Sequence, residues 1–183
     1  MGTRGIIYFL LALFISSCAH REVQKPESFK VDINWRDRTV GTMSLDSLHT
    51  GQTYLSVYSD IYINTDQERI LLGATISIKN PNRTDSIFLT SADYFETTGT
   101  LLRNYVKAPV FVLPMETVEI VIPRLDKEGG SGANFLFDWR KREQAFEPIF
   151  ECLMLSAIGN RSFSFSTHGQ HLVRNTSTSM IKY

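Results

Sequence analysis

Apolar and polar side chains alternate along much of this chain, beginning at about Thr53. In the first stretch one set of alternate positions is aliphatic, and the other set carries Tyr54, Tyr58 and Tyr62. The alternation is most regular from Ile70 to Lys79. Because successive side chains of a strand point to opposite sides, this period of two predicts half-buried β-strands.

Turn residues separate the alternating stretches at short intervals and define a series of short strands. Asn80, Pro81 and Asn82 end the most regular strand, since proline lacks a backbone donor and asparagine tolerates turn geometry. The predicted strands are about Thr53–Ile63, Ile70–Lys79, Ser86–Phe95, Leu101–Val106, Val110–Leu113, Thr117–Ile122, Asn134–Trp139, Pro148–Ile158 and Ser162–Thr167. One further short strand is predicted around Phe29 to Trp35, and Trp139 to Ala145 could form a helical turn.

The series of strands predicts an all-β fold without long helices. We expect a single antiparallel immunoglobulin-like β-sandwich of about eight or nine strands, with a small barrel as the alternative. The strands Ile70–Lys79 and Thr117–Ile122 are expected to supply the core from both sheets. No internal repeat or low-complexity tract interrupts the domain.

The N-terminus has the pattern of a secretory signal. A basic start ending at Arg4 precedes ten uncharged residues, Ile6–Ile15, which as a helix would span only about 15 Å, roughly half of a bilayer core. Two serines and Cys18 follow. A cleaved signal peptide of residues 1–17 is therefore predicted, and an uncleaved short anchor is the alternative.

The run Ile15-Ser16-Ser17-Cys18 resembles a bacterial lipobox. The resemblance implies that the Cys18 sulfur receives a diacylglyceryl group, that cleavage occurs before Cys18, and that fatty acids such as palmitate anchor the protein. Thioether formation needs a thiolate nucleophile, and two or more acyl chains give stable membrane attachment. The alternative is an ordinary cleaved signal peptide followed by a chance cysteine.

The remaining chain divides into three parts. Residues 18–50 are polar and are predicted to be a flexible tether, residues 51–171 form the β-sandwich, and residues 172–183 form a tail. The expected location is the bacterial cell envelope. Ala19 after the lipidated cysteine would place the protein on the periplasmic face of the outer membrane of a Gram-negative host.

Composition excludes several classes of function. The 19 basic and 19 acidic residues balance, which argues against nucleic-acid binding. Two cysteines cannot form a disulfide scaffold or a four-cysteine zinc site. Cys152 lies in an apolar strand, where we expect a buried structural thiol.

Three segments together resemble a bacterial lipoprotein family known only as domain of unknown function 3124. These segments are Tyr54–Tyr62, Ser91–Gly99 and Gly129–Phe135, and the resemblance covers about Thr53 to Gly169. It implies no activity and transfers no catalytic residue. The pattern of Ser77–Asn82 with Leu113-Pro114 is more weakly similar to immunoglobulin-like sandwiches of the late-embryogenesis-abundant, water-stress type.

The glycine-rich loop after the strand Thr117–Ile122 is the most unusual local feature. Its backbone amides could converge on an anion, or its carboxylates could bind calcium. The candidate ligand-binding residues are Asp126, Glu128, Gly129, Gly130, Ser131, Gly132 and Asn134. The alternative is a tight connection between strands in which glycine supplies positive φ angles.

Other candidate features are weaker. The row of Tyr54, Tyr58 and Tyr62 could bind a glycan or an envelope protein, or could be a partly covered strand face. His168 and His171 are expected to be surface histidines that do not bind one metal ion together. Glu151 shares the parity of neighbouring aliphatic residues, so we expect it to point toward the core, paired with an arginine, or to lie at a strand edge.

The sequence contains no Gly-x-Ser-x-Gly, His-Glu-x-x-His or Cys-x-x-Cys motif. We therefore expect a non-enzymatic, lipid-anchored envelope module that binds a partner or has a structural role, without cofactor or bound metal. The alternatives are a small-ligand or ion-binding module centred on residues 126–134 and an enzyme without a recognisable motif.

Overall fold

The computed structural model describes residues 35–158 and 161–172. Within these ranges the chain forms twelve β-strands and two short 3-10 turns, Trp35–Arg38 and Gly130–Gly132. The strands are β1 (His49–Ser56), β2 (Asp60–Tyr62), β3 (Arg69–Leu71), β4 (Gly73–Lys79), β5 (Ile87–Phe95), β6 (Leu101–Asn104), β7 (Val110–Val112), β8 (Thr117–Ile122), β9 (Asn134–Lys141), β10 (Ile149–Ile158), β11 (Arg161–His168) and β12 (Gln170–His171).

The strands pair in an antiparallel manner and form two main sheets. The six-stranded sheet has the order β12-β1-β9-β5-β6, and β7 pairs with β5. The four-stranded sheet has the order β11-β10-β4-β8, and β2 and β3 form a separate hairpin. The predicted all-β antiparallel fold is confirmed. Within the described residues no helix is long and apolar enough to cross a membrane.

The two main sheets bury their facing side chains in one core. Phe137 of β9 stacks on Phe150 of β10 with ring centroids 4.5 Å apart, which joins the six-stranded sheet to the four-stranded one. The prediction that Ile70–Lys79 and Thr117–Ile122 lie in different sheets is wrong, because β4 and β8 are neighbours in the four-stranded sheet.

Two strand boundaries also differ from the prediction. The alternating stretch that begins at Thr53 is not one strand, because β1 ends at Ser56 and β2 belongs to another sheet. The stretch Ile70–Lys79 is divided at Leu72, whose backbone N–H donates to the carbonyl of Ser59 at 2.9 Å. The helical turn considered for Trp139 to Ala145 is limited to its last residues: β9 continues to Lys141, and the Ala145 N–H donates to the Arg142 carbonyl at 3.0 Å in a turn.

The Asn80-Pro81-Asn82 segment ends β4 through a buried hydrogen-bond network. The Asn80 side-chain amide donates to the carbonyls of Asp85, Val112 and Leu113, at 2.8, 3.0 and 3.0 Å. The Asn80 side-chain oxygen accepts the backbone N–H of Asn82 at 3.0 Å. These bonds satisfy the carbonyls at the end of β7, in the connection that follows it and in the connection that precedes β5, and two of the three bonds are part-buried.

Residues 35–48 contact the sandwich. Thr39 forms a β-bridge with Val110, and the two nitrogens of Arg38 donate to the carboxylate oxygens of Glu116 at 2.9 and 2.6 Å. The predicted signal peptide, Cys18 and the tail beyond Leu172 lie outside the described residues. The strand predicted around Phe29 to Trp35 does so too, except for Trp35, which begins a 3-10 turn.

The Asn80 network generates a stability prediction. Replacing Asn80 with alanine removes the donor for three carbonyls, so we expect Asn80→Ala to lower the free energy of unfolding by about 2–3 kcal/mol. Urea unfolding measures this change. Asn104→Ala is the control, because the exposed Asn104 amide bonds only side chains on the surface, and its effect should stay within about 0.5 kcal/mol. Equal effects of the two substitutions would contradict the prediction.

Candidate functional site

The glycine-rich loop lies against the buried hydroxyl of Tyr94. The Tyr94 hydroxyl of β5 and the Ser59 side-chain oxygen are hydrogen-bonded at 3.0 Å. A Cβ atom on Gly129 would lie 2.0 Å from that hydroxyl and 2.7 Å from the Ser59 oxygen. Glycine is therefore required at position 129 by close approach, although the positive φ that we expected occurs at Gly130, with a value of 71°.

Thr97, just after β5, binds the loop from the other side. The Thr97 backbone N–H and its hydroxyl both donate to the carbonyl of Gly129 at 3.0 Å. The Thr97 hydroxyl oxygen also accepts the N–H of Gly132 at 2.9 Å. The carbonyl of Gly130 accepts the N–H of Ser59 at 3.0 Å. These backbone groups of the loop are bonded to residues that flank β2 and β5.

Arg103 of β6 bridges the two acidic residues of the loop. One Arg103 nitrogen donates to Asp126 at 2.6 Å, and the other donates to Glu128. The hydrogen bond from Arg103 lowers the pKa of Asp126 below its ordinary value, and the bond to Asp126 raises the pKa of Arg103. Burial raises the pKa of Tyr94 above its ordinary value, and the hydrogen bond with Ser59 opposes that rise, so the phenol is neutral at pH 7.

The structure brings the predicted loop residues together, but it pairs them with protein groups. Asp126 and Glu128 contact Arg103, while Ser131 lies in the 3-10 turn and Asn134 begins β9 opposite Ser56. Among the described residues no group of three or more His, Cys, Asp and Glu side chains could hold a metal ion. Ligand binding by the loop stays a prediction, and these contacts favour its alternative, a tight structural connection.

The three segments that carry the family resemblance meet at this point. Ser59, Tyr94 and Gly129 come one from each segment and lie in mutual contact. The family model described as "Protein of unknown function (DUF3124)" matches residues 50–172, about two thirds of the chain. The chain belongs to this family. The predicted membership is confirmed, and the matched residues include all of the strands from β2 to β12.

Other known proteins show little similarity to this DUF3124 domain. No curated protein matches the chain. A solved structure, "Crystal Structure of Thermotoga maritima 1070", is similar over 66% of this chain and 92% of that one, with 14% sequence identity and a TM-score of 0.37.

The predicted tyrosine surface is divided among three segments of the DUF3124 domain. Tyr54 is half-buried in β1, and Tyr58, after the end of β1, packs on Phe165 with ring centroids 6.1 Å apart. Tyr62 is exposed in β2, where the guanidinium of Arg69 lies 4.5 Å from its ring centroid. The three rings do not form one face of one strand. Partner binding by these tyrosines stays a prediction.

Sequence reasoning missed a cleft of about 580 Å³ beside β1. Its lining includes His49, Gln52, Asp138, Glu147 and His171. A Glu147 oxygen lies 3.1 Å from Nδ1 of His171, and the Gln52 amide donates to Asp138 at 2.8 Å. These residues come from β1, β9, β12 and the connection between β9 and β10, which only the fold brings together, so no local motif could indicate them.

The remaining predicted features lie elsewhere in the DUF3124 domain. Cys152 is buried as predicted, and burial raises the pKa of its thiol to about 12. The expectation that Glu151 points toward the core is wrong, because it lies on the opposite side of β10 from buried Cys152 and pairs with Lys79 rather than an arginine. His168 lies 3.5 Å from Glu151, and His171 contacts a different carboxylate in the cleft.

The close approach at Gly129 generates a second prediction. We expect Gly129→Ala to lower the free energy of unfolding by roughly 2–3 kcal/mol, because its Cβ would displace the Tyr94 hydroxyl or the Ser59 side chain. Gly41→Ala is the matched control, since nothing lies within 4 Å of a Cβ at that position. Adding Tyr94→Phe to Gly129→Ala should recover part of the loss in a double-mutant cycle. Strictly additive losses would contradict the proposed contact.

The Arg103 bridge generates a prediction about pH. The pKa of Asp126 is lowered in the folded protein, so the stability that its ion pair contributes is present above pH 3.8 and is lost as the pH falls through the lower folded value. We expect Arg103→Gln to cost about 1–2 kcal/mol at pH 7 and progressively less in acid. Urea unfolding at several pH values measures this.

The control for Arg103→Gln is Arg142→Gln. Arg142 is mostly exposed and its ion pair with Asp85 is at the surface, so its loss should change stability by less than about 0.5 kcal/mol at any pH. A cost of Arg103→Gln that is independent of pH would contradict the assignment of the effect to Asp126.

Proposed function

We propose that the protein is a lipid-anchored module of the bacterial cell envelope that binds a partner or has a structural role, and that it is not an enzyme. The observation that carries this proposal is the position of Cys18. It follows a basic start, ten uncharged residues and two serines, in the order of a lipoprotein signal. The proposed location is the periplasmic face of the outer membrane where the host is Gram-negative.

The state of the second cysteine supports Cys18 as the acylated residue. The chain has two cysteines, and the Cys152 side chain is fully buried between the two sheets. Burial raises the pKa of the Cys152 thiol to about 12, so the thiolate that a thioether-forming reaction needs is scarce there. Cys18 precedes the domain and is separated from β1 by a polar stretch.

The contacts of the glycine-rich loop favour a binding or structural role that does not use the loop as an ion site. Arg103 pairs with the carboxylates of Asp126 and Glu128, so the calcium alternative would require both ion pairs to be exchanged for coordination. For a partner, the exposed ring of Tyr62 with the guanidinium of Arg69 is suited to a glycan or an envelope protein.

Lipidation is tested by substituting each cysteine in cells fed with labelled palmitate. We expect Cys18→Ala to lose the label and to leave the membrane fraction, because no acyl chain then holds the protein. Cys152→Ala is the matched control and should keep both the label and the membrane location. If as much of the Cys18→Ala protein as of the unsubstituted protein remains in the membrane fraction, the proposal is contradicted.

A further inference from the structure

The cleft beside β1 lies where one strand of the six-stranded sheet is only partly paired. β9 pairs with β1 along its whole length. On the other side of β1, β12 pairs only with Thr53 and Tyr54, and the N–H of Leu172 donates to the carbonyl of Gln52 at 2.8 Å. Within the described residues no strand pairs with residues 49–51 on this side, so β1 has a free edge there.

The backbone of Thr50 faces this free edge. The Gln52 carbonyl points away from β9, and backbone groups of alternate residues in an antiparallel strand point to the same side. The N–H and C=O of Thr50 therefore also point away from β9, at the cleft that Thr50 and Gln52 line. A free strand edge pairs readily with the N–H and C=O groups of another extended chain.

The side chains around the free edge are acidic. An oxygen of Glu147 lies 3.1 Å from Nδ1 of His171, and an oxygen of Glu143 lies 3.7 Å from Nδ1 of His49. Asp138 accepts a hydrogen bond from a neutral side-chain amide. Within the described ranges none of these three carboxylates pairs with a lysine or an arginine. The charge that complements this edge is therefore positive.

The two glutamates belong to an ordered connection between β9 and β10. The Asn82 side chain accepts the N–H of Phe146, next to Glu147, at 2.7 Å and donates to the Phe146 carbonyl at 3.0 Å. The buried ammonium of Lys141 donates to the carbonyl of Glu143 at 3.1 Å. These bonds fix the backbone that carries both carboxylates, so a partner meets them in preorganised positions.

The chain's own sequence after Leu172 complements this edge poorly. Residues 173–175, which lie outside the described ranges, are valine, arginine and asparagine. A segment that continued the β12 register would place its second residue opposite Thr50. Its first and third residues would share the side of His171, which contacts Glu147. Valine and asparagine at those two positions bring no positive charge to the glutamates.

We propose that the free edge of β1 binds an extended segment of a partner protein that carries lysine or arginine at alternate positions. This inference names the class of partner for the binding role proposed above and rests on that role, but not on lipid anchoring. The partner strand runs antiparallel to β1, in line with β12. Its central residue exchanges two backbone hydrogen bonds with Thr50, and the basic side chains on either side pair with Glu147 and Glu143.

Binding is tested with a dye-labelled, end-capped peptide of alternating threonine and lysine, added to the full-length protein purified in detergent. The control peptide has glutamate in place of lysine. Thr50→Pro removes the N–H that the partner strand needs, and Thr50→Ala is the matched control because it keeps that N–H. Proline is tolerated at an edge position whose N–H has no strand partner, so both variants should keep their melting temperatures, which are measured.

We expect the lysine peptide to bind at low salt and the glutamate peptide not to bind. Thr50→Pro should weaken binding about tenfold, Glu143→Gln combined with Glu147→Gln about fivefold, and Thr50→Ala hardly at all. Similar binding of both peptides, or equal binding by Thr50→Pro and Thr50→Ala, would overturn the inference. Failure of the lysine peptide to bind would overturn it too, while the palmitate label on Cys18 reports separately on the proposed anchoring.

Amide hydrogen exchange distinguishes a partner from the chain's own C-terminal residues. We expect the Thr50 N–H to exchange rapidly in the free protein and slowly in the presence of the lysine peptide. Slow exchange in the free protein that becomes rapid when residues 173–183 are deleted would overturn the inference, because the chain itself then occupies the edge.

Discussion

Two asparagine side chains join the connections that cross between the sheets at one end of the domain. Asn80 follows β4 of the four-stranded sheet and donates to the carbonyl of Val112 in β7 of the other sheet. Asn82 accepts the N–H of Met115, between β7 and β8, with its backbone carbonyl, and the N–H of Phe146, between β9 and β10, with its side chain. Three crossings between the sheets therefore share one largely buried network of hydrogen bonds. The network fixes how the sheets close at this end.

The opposite end is closed by a different device. There the hydrogen-bonded hydroxyl of Tyr94 and side chain of Ser59 pack against Gly129 in the connection between β8 and β9, and the Thr97 hydroxyl donates to the Gly129 carbonyl. Because Gly129 has no Cβ, the loop packs directly against the Tyr94 hydroxyl, and Arg103 forms an ion pair with Asp126 of the loop. The contact with a buried phenol accounts for the glycine at position 129, and the carboxylates of Asp126 and Glu128 are paired with Arg103. The side-chain amides of Asn80 and Asn82 close one end of the sandwich, and the packing of Gly129 against the Tyr94 hydroxyl closes the other.

Period-two patterning predicts the all-β fold because burial in a sandwich strand has the same period. It failed between Val57 and Asp60, where the chain changes sheets and the one local signal is the polar pair Ser59-Asp60 within an otherwise alternating stretch. It also misplaced Glu151, because both sides of β10 are largely apolar and parity alone does not say which side faces the core. The contact of Ser59 with Tyr94 joins residues 35 apart in sequence, which only packing can bring together.

The two differently closed ends of the sandwich lie at opposite ends of β8. β8 starts beside Met115 and ends near the glycine-rich loop, and its six residues span about 20 Å at the usual strand rise. The β2–β3 hairpin lies at the loop end, because the N–H of Ser59, next to Asp60, donates to the carbonyl of Gly130 at 3.0 Å. The exposed ring of Tyr62, with the guanidinium of Arg69 beside it, is therefore at the end that the loop closes and away from the Asn80 network. The contacts of Ser59 with Tyr94 and with the loop thus position the surface that we propose for a partner.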